Sequence, residues 1–92
     1  APVGQDDVDA VLHPPRDEGE FVTLRWTSSA PLDFAVVVTD YRGISRAEVA
    51  YRNNSARVKV NPQRPYCFVV RGSNAEHTYE SEPRGIRGAL CR

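Results

Sequence analysis

Directly after the bend Asn61-Pro62-Gln63-Arg64-Pro65, apolar residues recur at every second position: Tyr66, Phe68, then Val70. A period of two is the period of a β-strand, whose successive side chains point to opposite faces. One row therefore lies in a core and the other toward water, which no helix of that sequence achieves. A proline corner followed by a half-buried strand constrains this chain more than any other stretch of it.

The same period recurs along the chain. Val8, Ala10 and Leu12 alternate until His13-Pro14-Pro15 stops pairing, giving a short edge strand where proline is tolerated. Arg16 to Gly19 reads as a polar turn. Val22, Leu24 and Trp26 point one way on a second strand, and Leu32, Phe34, Val36 and Val38 do so on a third. The third strand is unusual, because Ala35 and Val37 make its other face apolar too. After the turn Tyr41-Arg42-Gly43, Ala47 to Arg52 alternates as a fourth strand. Beyond Asn53-Asn54-Ser55, Ala56, Val58 and Val60 face inward on a fifth. The sixth begins at Tyr66, and a seventh runs from about Tyr79 to Leu90, broken by Pro83 and two glycines. Helical periodicity is absent. Seven short strands separated by turn signals predict an all-β, two-layer antiparallel sandwich.

Ninety-two residues make one domain, with residues 1–6 expected as a flexible lead-in. No apolar run approaches the roughly 18 residues of a spanning helix, so direct membrane insertion is not expected. Ala1-Pro2-Val3-Gly4 is followed by acids and not by a hydrophobic leader, so the chain reads as a processed or excised piece of something longer. Net charge is zero but uneven: residues 1–46 carry four arginines against eight acids, and the acids thin out thereafter. Zero net charge argues against general nucleic-acid binding, which needs many phosphate contacts. Eleven of the twelve basic residues are arginine, which fits either a GC-rich genome or an arginine-dependent recognition face.

Cys67 falls between inward Tyr66 and Phe68, on the outer face at the foot of its strand. If the last strand returns as a hairpin about residue 79, Cys91 comes level with it, and a disulfide is expected. That pairing implies an oxidising compartment; the alternative is two free thiols in the cytosol.

Tyrosine at the foot of a late strand, just past a corner, is the tyrosine-corner arrangement of β-sandwiches. Val60, Pro62, Tyr66, Phe68, Val70, Gly72 and Asn74, together with Leu24-Arg25-Trp26 on the second strand, resemble the fibronectin type III domain signature. The resemblance runs from about Val8 to Leu90, and Gly72-Ser73-Asn74 with Ser81-Glu82-Pro83 is similar to the family's last turn. It implies an immunoglobulin-like sandwich of seven strands, with Trp26, Tyr66 and Pro62 as structural core. The integrin-binding Arg-Gly-Asp tripeptide of that family is absent, as is Trp-Ser-x-Trp-Ser.

Catalysis is not expected. His13 sits beside prolines and His77 in a loop, and neither cysteine has a neighbouring base to make it a thiolate. No histidine or cysteine pair has the spacing of a zinc site, and Asp6, Asp7 and Asp9 lack the glycine and glutamate of a calcium loop. No cofactor is expected. Asn53-Asn54-Ser55 fits a glycosylation sequon, though a bare turn suffices to explain it. Two candidate binding surfaces stand out. One is the last strand, where Arg84 and Arg87 flank Ile86 on an edge suited to an acidic or extended partner. The other is an aromatic-aliphatic patch of Tyr41, Tyr51, Ala35 and Val37. The resemblance implies a non-catalytic extracytoplasmic module that binds a protein partner or spaces neighbouring domains, with a bacterial membrane receptor or signalling kinase as favoured parent. The alternative is a glycan-associated accessory domain of a secreted polysaccharide-degrading enzyme.

Overall fold

The computed structural model describes residues 9–91, so the expected lead-in, Val8, Asp6 and Asp7 lie outside the described residues. Nine strands and no helix occur among them: β1 (Ala10–Leu12), β2 (Arg16–Asp17), β3 (Phe21–Ser28), β4 (Asp33–Thr39), β5 (Ser45–Tyr51), β6 (Ser55–Lys59), β7 (Tyr66–Ser73), β8 (Thr78–Glu80) and β9 (Arg84–Ile86). All pairings are antiparallel, and they form two sheets.

In the first sheet β3 is central. Trp26 N–H donates to Asn54 O toward β6, while Arg25 O accepts from His13 N–H toward β1, so β1 and β6 occupy opposite edges. Thr23 pairs with both Arg16 and Arg57, which puts β2 on the same edge as β1. In the second sheet β4 lies between β5 and β7. Arg71 pairs with Ala35 and Glu80, and Phe68 with Val38 and Arg84, so β8 and β9 share the far edge of β7.

The two outer rims are built alike, and both depart from the expected strands. Arg16–Asp17, expected as turn, pairs with β3. Leu12 to Arg16 takes four residue steps against three from Trp26 to Thr23, the extra residue falling at Pro14-Pro15, because His13 still pairs with Arg25. The expected strand Tyr79–Leu90 is instead β8 and β9, ending at Ile86. Glu80 to Arg84 again takes four steps against three from Arg71 to Phe68, beside Pro83. Proline lacks the N–H that a ladder needs, so each rim accommodates it with a bulge and resumes pairing.

The alternating rows meet between the sheets. Val22, Leu24 and Trp26 of β3 face Phe34, Val36 and Val38 of β4 and Phe68 and Val70 of β7, and all are at most 4% exposed. Each such side chain gains about 1.5–3 kcal/mol on burial. Trp26 meets Phe34 edge-on, with ring centres 5.7 Å apart. Tyr66 is buried at 8% exposure, and its hydroxyl accepts the Asn61 N–H at 2.9 Å, closing the corner that leads into β7. Pro62, expected in the core, is exposed instead; it belongs to the surface turn that Tyr66 holds from inside.

Candidate interaction surfaces

The rim expected to display Arg84, Ile86 and Arg87 together does not do so. Ile86 is buried opposite Tyr66. Arg84 turns across the rim, and its Nε donates to Leu12 O at 3.0 Å, tying the two sheets together. Arg87 takes a left-handed backbone conformation, φ 55°, and its guanidinium is consumed internally. Nε and Nη2 donate to the Asp17 carboxylate at 3.0 and 2.7 Å. Nη1 donates to Asn61 O and Arg64 O, and Nη2 also to Gly19 O. One side chain thus fastens the β2–β3 turn to the corner before β7. These bonds from Arg87, aided by the Gly19 N–H, hold the Asp17 carboxyl below its usual range. Backbone carbonyl acceptors leave no trace in a sequence pattern, so this clamp had no signal to betray it.

Cys67 and Cys91 are joined by a disulfide. The route differs from a simple hairpin, because the strand partner of Cys67 is Gly85. After Ile86, Arg87 and Gly88 both adopt positive φ, 55° and 79°, and the chain doubles back. Ala89-Leu90-Cys91 then returns over β9 to reach Cys67. Gly85 makes this possible: a Cβ there would lie 2.8 Å from Cys91 Sγ and 2.9 Å from Ala89 O.

The second expected patch divides. Tyr41 precedes β5 and Tyr51 ends it, so the strand of about 20 Å separates them. Tyr41 stands over the β4–β5 turn with the Arg64 guanidinium 4.4 Å from its ring centre. That turn is held by Asp40, whose Oδ1 accepts N–H bonds from Arg42 and Ile44. Burial pushes the Asp40 carboxyl up, but the Arg42 side chain and these two amides outweigh it and the net shift is downward. Ala35 and Val37 do share the outer face of the second sheet. Their cross-strand neighbours are Val49, Ala47 and Val69, so the patch is aliphatic and centred on Val37. Val49 is 64% exposed. Polar pairs bound the strip at both ends, Arg71 with Glu80 and Thr39 with Ser45.

A groove of about 620 Å³ lies between the rims of the two sheets, lined by Asp9 to Leu12 on one side and by Thr78 to Glu80 and Glu82 to Arg84 on the other. His77 packs edge-on against Tyr79 at 6.0 Å, and His13 lies beside a shallow depression with Pro14 and Arg25. The Asn53 side chain donates to Ala50 O within its turn. Among the described residues no three His, Cys, Asp or Glu side chains gather to hold a metal, and no helix is long and apolar enough to cross a membrane. No family model, no curated protein and no solved structure matches the chain.

Proposed function

We propose that this chain is a fibronectin type III-like domain acting as a non-catalytic, extracytoplasmic protein-interaction or spacer module of a larger surface or secreted protein. Counting β1 with β2 and β8 with β9 as two interrupted strands yields the family's seven, and the Tyr66 hydroxyl on Asn61 N–H supports the same assignment. The Cys67–Cys91 bond favours an oxidising compartment. A bacterial membrane receptor or signalling kinase is the parent this reading prefers, in keeping with the arginine bias.

The observation that carries the interaction role is the aliphatic strip on the outer face of β5, β4 and β7. Outward positions of a water-facing sheet are ordinarily polar. Here Val49, Ala35, Ala47, Val37 and Val69 adjoin one another inside a polar border, the layout of a small docking patch. The test is site-specific photocrosslinking from residue 49 in the producing cell. The expected result is a protein adduct, to a partner or to a neighbouring domain, that disappears in Val37→Glu. Absence of any protein adduct, with saturable binding of the domain to cell-wall glycan, would overturn this reading in favour of a carbohydrate-associated role.

A further inference from the structure

The groove between the rims is walled by two strand edges whose backbone groups face one another across it. In β1, Asp9 O accepts from Ser29 N–H and His13 N–H donates to Arg25 O, so residues 9, 11 and 13 turn their backbone toward β3. Ala10 and Leu12, alternating with them, direct theirs into the groove. In β8, His77 O accepts from Asn74 N–H and Ser81 N–H donates to Val70 O, so Thr78 and Glu80 are the residues whose backbone points away from β7. Among the described residues no strand pairs with either of these edges. The lower end is closed by Arg84 Nε on Leu12 O.

The side chains around the opening are unbalanced in charge. The lining carries three carboxylates, Asp9, Glu80 and Glu82, against one guanidinium, that of Arg84, which keeps its charge while its Nε bonds the Leu12 carbonyl; Glu80 is paired with Arg71. That leaves the exposed carboxylates of Asp9 and Glu82 on the lining, with Val11, 47% exposed, as the apolar element between them.

We infer that this groove receives an extended, lysine- or arginine-bearing segment of a partner protein, which adds a strand to the free edge of β8. Thr78 and Glu80 supply main-chain hydrogen bonds, which set affinity without regard to side chain, while Asp9 and Glu82 select for basic residues at alternate positions. The three residues of β8 span about 10 Å, so the slot takes three or four residues of guest. The inference rests on the protein-binding reading above but uses a different surface from the Val37 strip.

The test is an NMR titration of the full ¹⁵N-labelled chain with the acetylated, amidated peptide Lys-Val-Lys-Val-Lys. Expected are saturable shifts centred on Ala10–Leu12 and Thr78–Glu80, with slowed hydrogen exchange at the Thr78 and Glu80 amides. N-methylation of alternate peptide amides removes main-chain bonds and should weaken binding about tenfold or more. Asp9→Asn with Glu82→Gln should weaken it several-fold and flatten its salt dependence. Thr78→Pro removes an N–H that β7 does not use and should abolish binding; should that variant misfold, the methylated peptide makes the same test on the unaltered chain. The inference is overturned if no saturable shift develops at millimolar peptide, if the shifts map to β5, or if a Glu-Val-Glu-Val-Glu peptide binds equally well. None of these results bears on the Val49 adduct, and loss of that adduct with peptide still bound at β8 would remove the Val37 strip alone.

Discussion

Replacing Gly85 by alanine measures what the returning tail demands of β9. The added Cβ would lie 2.8 Å from Cys91 Sγ, 2.9 Å from Ala89 O and 3.2 Å from Ala89 Cβ, and all three atoms belong to the tail. With the disulfide closed, the tail is tethered at Cys67 and cannot lift away. Such overpacking costs typically about 1–3 kcal/mol. Alanine in a strand also recovers about 0.5–1 kcal/mol of the backbone entropy that glycine forfeits. The net expectation is a loss of about 1–2 kcal/mol, and for a domain of this size each kcal/mol lowers Tm by about 4–8 °C. In a Cys67→Ala/Cys91→Ala background the tail is free, the overlap vanishes, and the same substitution becomes neutral or stabilising by up to about 1 kcal/mol. The background itself is weakened, since closing a loop with a sequence separation of 24 is worth about 3.5 kcal/mol on the chain-entropy model. Urea denaturation of the four proteins completes the cycle and should return a coupling energy of about 1–3 kcal/mol, with Gly85→Ala leaving the m-value unchanged within each cysteine background. An equal cost of Gly85→Ala in both backgrounds would refute the reasoning, because the clash would then lie with the sheet and not with the tail.

Tyr66→Phe leaves the ring buried but strands the Asn61 N–H, and should destabilise by about 1 kcal/mol in chemical denaturation while leaving partner binding unchanged. Arg87→Met should speed hydrogen exchange through residues 61–64 and in the β2–β3 turn, whose carbonyls lose their donor. It should also alter acid stability. Asp17 has a depressed folded pKa, so its contribution is complete above the ordinary value of 3.8 and is lost as pH falls through the folded value. Below pH 3.8 the parent chain should therefore lose more stability than Arg87→Met, by a margin that shrinks at high salt. Identical acid profiles would show that the Arg87–Asp17 contact is not maintained in solution.

The period-two rows were legible because a sheet with one buried face imposes its pattern on every residue. The inward positions of the second, third, fifth and sixth expected strands, from Val22 through Val70, are where the sandwich interior lies. Tyr66 is legible too, since a corner fixes both the bend and the residue that fills it. The path of residues 85–91 is not legible. Residues 85–88 set two large side chains, Ile86 and Arg87, between two glycines, which reads equally as a broken strand or as a reversal. What decides between them is positive φ at Arg87, made tolerable by five hydrogen bonds to groups distant in sequence. A hairpin about residue 79 brings Cys91 level with Cys67, yet the strand register sets Gly85 opposite Cys67 and the tail reaches the cysteine only by doubling back. Alternation locates a face but not a distance along it, so the sequence does not reveal that a whole strand lies between Tyr41 and Tyr51. The aliphatic neighbours Val49 and Val69 needed the cross-strand register, which no single segment encodes.

The indole of Trp26 is 1% exposed, and its Nε1–H has no hydrogen-bond acceptor among the described residues. It is the only tryptophan in the chain. Its fluorescence should accordingly be emitted well to the blue, because the indole lies out of reach of the bulk solvent that would relax around the excited state. Opening the Cys67–Cys91 bridge on the outer face should leave that colour unchanged, whereas parting the two layers should turn it red, so the molecule carries its own optical gauge of which half has come undone.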